Sequence, residues 1–365
     1  MKLPYSEYLP IEKLSAVFNS TTNSYKYYWF LSILNFLKQN PKKKIPIDLI
    51  VIDMIATAWY PINYFKLSFG ELDQFSISIL ELQNRFGYPL DIKRQELIAD
   101  LLRRIKDPTI KSIITKLSRY VPYRFISPWF MDETAGILDT KKNALINSLS
   151  NQYFTNESSA SIYRIIDESI EINNLWEQYL IKHLPILQGF SYWNLIKFLQ
   201  KKNPNVPSIS EKLFQPEMRA LKSARSYWDT YLESKKNLKC IYSDENINTD
   251  NYSIDHFLPW SFVAHDQLWN LVPVPQHINS SKGDRLPSQR YIEKLGEIHF
   301  DAFHIVRKTL NEKNLEDYTT LFKESISDIT RIDKPKFIRT ISENIRPLIQ
   351  IATNMGFIPN WSWNN

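Results

Sequence analysis

Only seven of the 365 residues are glycine, and this scarcity constrains the fold more than any other feature of the sequence. Tight hairpin turns and glycine-rich phosphate loops both depend on the conformational freedom of glycine. We therefore do not expect a fold built from many short strands. Neither nucleotide-binding fingerprint, GxGxxG or GxxxxGK[ST], occurs in the chain. With 43% hydrophobic and 23% charged residues, the composition is that of a globular protein with a sizeable core.

Residues 1–205 show the periodicity of helices. In SYKYYWFLSILNFLKQN, the residues Tyr28, Leu31 and Leu34 fall on one broad apolar face, and Ser24 is a candidate N-cap. The segments RQELIADLLRRIKD and ASIYRIIDESIEINNLWEQYLIKHLPIL have the same spacing. The sequence therefore predicts a mainly helical N-terminal region.

The most hydrophobic stretch is IPIDLIVIDMIATAWYPI, at residues 45–62. Asp48 and Asp53 interrupt it and prolines flank it, so the pattern favours a buried helix over a membrane span. The N-terminal residues MKLPYSEYLPIEKL lack the apolar core of a signal peptide. We expect a cytoplasmic protein that makes no membrane contact.

A cluster of prolines marks a change in the pattern. Pro204, Pro207 and Pro216 indicate a linker or a domain edge. A helix is predicted next, in PEMRALKSARSYWDTYLES, with Pro216 in its first turn. The helical pattern returns after residue 288. The chain is thus divided into a helical recognition, regulatory or assembly domain (1–205), a domain of different character (206–290) and a C-terminal helical segment (291–365).

Residues 252–288, YSIDHFLPWSFVAHDQLWNLVPVPQHINSSKGDRLPS, concentrate the polar chemistry of the chain. Two runs with strand-like alternation, KCIYS and YSIDHF, flank a turn rich in Asp and Asn, which predicts a β-hairpin. A loop then carries Asn270, and a short helix is predicted near His277 to Lys282. The second strand of the predicted hairpin carries the consecutive residues Asp255 and His256, and the predicted helix carries Asn279.

This strand–strand–helix unit, with IDHFLPWS, WNLVP and NSSKGDRLP in that order, resembles the HNH endonuclease family, whose fold is called ββα-metal. The resemblance covers about residues 238–288 and leaves the N-terminal region unassigned. Together with the helical periodicity of the rest of the chain, it predicts a mainly α protein with a small α+β unit. The helical N-terminal domain would be followed by an HNH nuclease domain and by C-terminal helices.

The resemblance implies hydrolysis of phosphodiester bonds, and the residue types suit that chemistry. Attack on a phosphodiester requires positive charge to offset the negative charge that develops. Asp255 and Asn279 offer hard oxygen donors, which favour Mg²⁺ or Mn²⁺. His256 is expected to deprotonate the attacking water. Consecutive residues of a strand face opposite ways, so we expect a kink, near Pro259, to bring Asp255 and His256 to one site.

The remaining members of the set have more than one interpretation. The resemblance implies that Asn270 orients the loop and the histidine. Lys282 is expected to contact the scissile phosphate or its neighbour, and a solvated helix end is the alternative. Many relatives have a histidine where this chain has Asn279, and His277 could be that residue instead. Positions 277 and 279 do not share a helix face, and the spacing favours Asn279.

A purely structural role is the alternative for the whole set of residues. Asp255 and Asn279 could be turn and cap residues, and His256 a histidine of the core. The agreement of all the motifs favours a site over this alternative. His265 and Asp266 are expected to serve only the structure of the loop.

Cys240 is the only cysteine, which excludes an intramolecular disulfide and a paired-cysteine zinc site. Many relatives carry cysteine pairs that bind structural zinc. In this chain Ser243 stands where a second cysteine would be expected. We therefore expect no structural zinc.

The chain is mildly basic, with a net charge of +6 and a pI near 9.0, which suits a polyanionic partner. One group of basic residues lies on the helix before the hairpin, and another lies among the aromatics of KSIITKLSRYVPYRFISPWF. In the second group, burial of the aromatic rings in the core is the alternative to base stacking. The candidate nucleic-acid contacts are Arg219, Lys222, Arg225, Arg119, Arg124 and Arg285.

The leading hypothesis is a metal-dependent endonuclease that cuts DNA, with RNA also open as a substrate, and that acts in anti-phage defence or restriction. The alternative is a nucleic-acid-binding or complex-forming protein whose HNH fold is inactive or is gated by a partner. The N-terminal domain could supply a protein partner site or a homo-oligomer interface.

Overall fold

The computed structural model describes residues 2–39, 43–155, 160–215, 221–235, 237–309 and 312–363. The chain divides into two compact units. The first contains residues 1–204 and 212–215, and the second contains residues 205–211 and 216–365. The prediction of a mainly α protein with a small α+β unit is confirmed. The distinct roles assigned to residues 1–205, 206–290 and 291–365 stay predictions.

The first unit is built around a buried helix with aromatic residues on all sides. This helix, α2, packs against two others, α3 and α10. The helices of the unit are α1 (Ile11–Ala16), α2 (Tyr25–Gln39), α3 (Ile47–Trp59), α4 (Gln74–Phe86), α5 (Arg94–Arg103), α6 (Pro108–Ser118), α7 (Val121–Phe125), α8 (Asp139–Gln152), α9 (Asn174–Lys182) and α10 (Leu184–Lys202). A small antiparallel sheet, in the order β1–β3–β2, consists of β1 (Lys44–Pro46), β2 (Tyr163–Ile166) and β3 (Ser169–Ile172).

The apolar stretch at residues 45–62 forms α3 and the turn after it, and the helix is buried as predicted. Its charge at Asp53 is compensated, because the carboxylate accepts hydrogen bonds from the Arg94 guanidinium and, at 3.1 Å, from the Asn35 amide. A buried carboxylate is tolerated when it is paired in this way. Within the described ranges, no helix is long and apolar enough to cross a membrane.

The second unit places two strand pairs among helices that share one hydrophobic core. The strands are β4 (Leu238–Lys239), β5 (Asn246–Ile247), β6 (Tyr252–His256) and β7 (Leu271–Pro275), with β4 paired to β5 and β6 paired to β7, both antiparallel. The helices are α11 (Lys222–Ser234), α12 (Trp260–Val263), α13 (Gln276–Lys282), α14 (Tyr291–Val306), α15 (Glu316–Phe322), α16 (Ile326–Ile329) and α17 (Lys334–Asn354).

The predicted hairpin between KCIYS and YSIDHF is wrong. Only Lys239 of the first run is in a strand, and residues 241–243 form a turn closed by hydrogen bonds between Cys240 and Asp244 and between Cys240 and Glu245. Asp244 adopts a left-handed backbone, with φ of 60°, which reverses the chain earlier than the sequence pattern indicated. The true partner of β6 is β7, which the sequence analysis treated as a loop.

The prolines of LVPVP do not prevent β7 from pairing. In the observed register, Pro273 lies opposite Ile254 and Pro275 lies opposite Tyr252. The same register continues to Phe257, whose N–H donates to the Asn270 carbonyl. The hydrogen-bonded pairs therefore fall on the intervening residues, and the two prolines occupy positions that need no N–H toward β6.

Helices α14 and α17 pack closely at Gly296. A Cβ atom at this position would lie 3.0 Å from the Ile338 Cα and 3.1 Å from two atoms of its side chain. Contacts this short, one of them with backbone, require Ile338 or the helix that carries it to shift by a few tenths of an ångström. Gly189 is also helical, but a Cβ there meets nothing within 4 Å.

We predict opposite effects of alanine at these two glycines. Gly296→Ala should lower the free energy of unfolding by about 1–3 kcal/mol through overpacking. Gly189→Ala should leave it unchanged or raise it by roughly 0.5–1 kcal/mol, because alanine favours the helix. Thermal and urea unfolding of both variants measures the difference. Equal stability of Gly296→Ala and the wild type would show that the two helices are not packed as described.

Candidate active site

Strand β6 ends with the two polar residues at the centre of the site. Asp255 is 3% exposed and His256 is 5% exposed. Pairing with β7 is regular through both residues and on to Phe257. The strand is therefore regular through both residues, and the two consecutive side chains leave opposite faces of it. The kink expected near Pro259 would lie beyond both residues and does not bring them to one face.

Asp255 is held by two buried groups. Its Oδ1 accepts a hydrogen bond from the Lys282 ammonium at 3.0 Å, and its Oδ2 accepts one from the Tyr242 hydroxyl at 2.9 Å. Lys282, at the end of α13, is 1% exposed and also donates to the His256 carbonyl at 2.7 Å. Burial and the adjacent Asp255 carboxylate raise the pKa of Tyr242 well above its usual range, so its hydroxyl stays protonated and donates. Of the two interpretations of Lys282, the solvated helix end does not fit this burial.

His256 makes its side-chain contact on the other side of the strand. Its Nε2 lies 2.7 Å from Oδ1 of Asp266, a partly exposed carboxylate in the loop that follows α12. The chain enters this loop through Ala264, whose left-handed backbone has φ of 55° and ends α12 after one turn. Asp266 was expected to serve loop structure rather than catalysis, and the structure adds a direct contact between its carboxylate and the candidate base.

Asn270 connects the two sides of the same loop. It is fully buried, its Oδ1 accepts from the Leu258 N–H at 2.8 Å, and its Nδ2 donates to the Leu258 carbonyl at 2.9 Å. These two hydrogen bonds take the place of backbone hydrogen bonds between the two strands just beyond the end of β6. The contact fixes residues 258 and 270, which bracket the loop that carries Asp266. These bonds hold Leu258, two residues after the end of β6, and none of them involves the His256 side chain.

Asn279 faces strand β6, whereas His277 faces away from it. The Asn279 amide nitrogen donates to the Ser253 hydroxyl at 3.1 Å and to the Ile254 carbonyl at 3.4 Å. His277 is mostly exposed and lies 3.3 Å from Glu245. All the hydrogen bonds described for Asn279 use its nitrogen, which leaves its carbonyl oxygen as a possible metal donor.

The basic candidates are distributed over both units. Lys222 and Arg225 lie on α11 and are exposed, with the Arg225 guanidinium 4.6 Å from the Tyr252 ring centre. Arg285 follows α13 and donates to the Lys282 carbonyl. Arg119 is exposed beside Tyr120, and Arg124 is bonded to Asp139 and Asn143. Arg219 lies outside the described residues.

Some of the aromatic rings near Arg119 and Arg124 are buried in the core, as the alternative to base stacking predicted. Phe125 and Trp129 are buried in the core, whereas Tyr120 is 49% exposed. Base stacking on this segment could therefore involve Tyr120 but not the two buried rings.

The donor set fits a hard divalent cation. Asp255 and Asn279 provide a carboxylate oxygen and an amide oxygen, the donor types that Mg²⁺ and Mn²⁺ accept together with several waters. Across the described ranges, no cluster of three or more His, Cys, Asp or Glu side chains forms a metal site. A cation held here would thus have few protein ligands. Each oxygen of Asp255 already accepts one hydrogen bond, from Lys282 or from Tyr242, so a cation held here would share the carboxylate with these two groups.

The comparison with known proteins identifies this segment. Residues 240–288 match the HNH endonuclease family. The predicted resemblance over about residues 238–288 is thereby confirmed. The matched residues contain β5, β6, β7 and α13 and every contact of Asp255 described above.

The chain is also similar to the CRISPR-associated endonuclease Cas9 of Listeria innocua serovar 6a. The two are 29% identical over 134 residues, which cover 34% of this chain and 10% of that protein. The similarity therefore spans only about a tenth of the relative's length. No solved structure shows a significant match. The HNH match and this relative together support a nuclease.

Sequence reasoning missed two residues that the structure places in the site. Tyr242 is in the turn after β4, and Asp266 is ten residues beyond His256 in sequence. Both contacts arise from tertiary folding. The one available signal for Asp266 was an acidic residue in the loop that returns the chain to Asn270.

Proposed function

We propose that the second unit is a metal-dependent endonuclease that hydrolyses phosphodiester bonds in DNA. The observation that carries this proposal is the contact of Asp255 with Lys282 and of Asn279 with β6 at the junction of β6 and α13, next to His256 in the same strand and within residues that match the HNH endonuclease family. Mg²⁺ or Mn²⁺ bound there would offset the negative charge that develops on the phosphate.

His256 is the proposed general base. When its Nε2–H donates to Asp266, the imidazole is in the tautomer whose Nδ1 carries a free lone pair. That nitrogen can accept a proton from the attacking water. Asp266 would hold the ring in this tautomer and orientation as a positioning residue, because a carboxylate accepts and never donates in its ionised form. Asn270 would keep the loop in place through Leu258.

Lys282 has a second proposed role beyond contacting phosphate. In the described structure its ammonium supplies the positive charge beside Asp255. A divalent cation at Asp255 and Asn279 would be repelled by this ammonium, since like charges a few ångströms apart in a buried site interact strongly. We propose that Lys282 leaves Asp255 when the cation binds and turns to the substrate phosphate. A cation at Asp255 would then supply the positive charge that the Lys282 ammonium supplies in the described structure.

The other parts of the chain would recognise the substrate. Lys222, Arg225 and Arg285 belong to the same unit as the site and are proposed to contact the DNA backbone. Arg119, Arg124 and Arg219 are weaker candidates for the same role. A function in anti-phage defence is consistent with the similarity to the CRISPR-associated endonuclease of Listeria. A gated enzyme is the second candidate, and the engagement of both Asp255 oxygens favours it over a permanently inactive scaffold.

Cleavage of supercoiled plasmid tests the proposed activity. The wild type should nick or cut DNA with Mg²⁺ or Mn²⁺ and not with EDTA. His256→Ala should lower the rate by about 10²–10⁴-fold, the usual contribution of a general base, and leave DNA affinity nearly unchanged. His265→Ala is the matched control and should cut normally. Cleavage by His256→Ala at the wild-type rate would contradict the assignment of His256 as the general base. Faster cleavage of RNA than of DNA would contradict the choice of DNA as the substrate.

The role of Asp266 has its own test. Asp266→Ala should lower kcat by about 10–100-fold with little change in KM, because the base is misoriented while DNA still binds. Asp266→Asn keeps an acceptor for Nε2–H and should retain more activity. Asp250→Ala, at an exposed turn, is the control. ¹⁵N spectra of the His256 ring should show a changed tautomer in Asp266→Ala. An unchanged tautomer with unchanged kcat would contradict the role.

A further inference from the structure

A cavity of about 510 Å³ in the first unit combines two cations with a rim of hydroxyl groups. Its lining includes Lys26, Arg124, Thr21, Thr22, Tyr120 and Ser127. Volumes of this size are typical of small-molecule sites. The cavity has no part in the proposed cleavage chemistry, and none of the residues of the HNH site line it.

The charges of the cavity are not balanced. Lys26 is only partly exposed, and its ammonium donates to the Val17 carbonyl at 3.1 Å. Over the described part of the chain, it forms no ion pair with a carboxylate. Asp139 is the acidic residue of the lining, and its largely exposed side chain pairs with Arg124 at 2.9 Å. The lining therefore carries one more positive charge than negative.

The position of Lys26 is unfavourable without a further partner. Burial, together with the neighbouring Arg124 guanidinium, lowers the pKa of Lys26 to about 8. A buried cation that faces another cation is normally compensated by an anion. The oxygen of Asn23, at the edge of the same cavity, is buried and has no hydrogen-bond partner. A half-turn of that carboxamide would present its N–H groups instead, so this side chain also leaves a polar atom for a ligand.

We propose that this cavity binds a small phosphate-bearing molecule, with Lys26 and Arg124 contacting its phosphate oxygens. A phosphate group accepts several hydrogen bonds and carries the negative charge that the lining lacks. The hydroxyls of Thr22 and Ser127 and the exposed ring of Tyr120 provide further contacts, the ring being suited to stack on a nucleobase. A concave site of this volume fits a free ligand better than the backbone of a duplex. The site would give the helical unit a ligand-binding function of its own.

Calorimetric titration of the full chain with pyrophosphate and with adenosine monophosphate tests the proposal. The titrations use the His256→Ala variant without divalent metal, so the outcome is independent of nuclease activity. Saturable binding is expected, and Lys26→Met should weaken it by about tenfold or more, the loss of one charge-assisted hydrogen bond. Arg124→Gln should act in the same direction. Lys111→Met, at an exposed lysine of α6, should bind like the parent.

The Lys26 and Arg124 variants are chosen so that a loss of binding can be distinguished from a loss of folding. Methionine retains the apolar stem of Lys26, so the melting temperature of Lys26→Met should not fall, and Arg124→Gln provides a second change at the same cavity. Tighter binding of adenosine monophosphate than of pyrophosphate would identify a nucleotide as the ligand type and support the role of Tyr120. Absence of saturable binding at millimolar concentration, or equal binding by Lys26→Met, would overturn the proposal. Displacement of pyrophosphate by short duplex DNA would overturn it in favour of a nucleic-acid surface.

Discussion

The buried ion pair between Asp255 and Lys282 is the interaction on which the second unit depends. Each side chain is almost fully removed from water, and each would be costly to bury alone. The pair is acceptable because Tyr242 and the His256 carbonyl satisfy the remaining polar atoms. It joins β6, the end of α13 and the turn after β4. The geometry of the candidate site is therefore set by the same contact that makes its burial possible.

This arrangement bears directly on the proposed chemistry. The place where a divalent cation would neutralise Asp255 already holds an ammonium, so the folded state does not require the cation for charge balance. On the opposite face of β6, His256 is oriented by Asp266 in a separate contact. The proposed metal binding and the proposed proton transfer thus use side chains on opposite faces of β6, which allows each to be changed by mutation without directly removing the other.

The sequence predicted many of the helices and the identity of the site segment, but the helix predicted across residues 163–172 is wrong, because these residues form β2 and β3, and the strand pairing was missed. Helical periodicity is local, so the pattern around Tyr28 and Leu34 correctly indicated α2. The alternation at residues 252–257 correctly indicated a strand, whereas the partner depended on a turn at Asp244 and on prolines that face away from β6. The roles of Tyr242 and Asp266 could not be read from sequence, because their contacts to Asp255 and His256 exist only after the unit has folded.

The central claim is that Asp255 holds a divalent cation in competition with Lys282, and Mn²⁺ binding followed by electron paramagnetic resonance tests it most directly. The account predicts that Asp255→Asn weakens Mn²⁺ binding by about tenfold or more and that Lys282→Met strengthens it by a similar factor, since each tenfold change corresponds to about 1.4 kcal/mol. Mn²⁺ affinity that is the same in the wild type and in Asp255→Asn would contradict it.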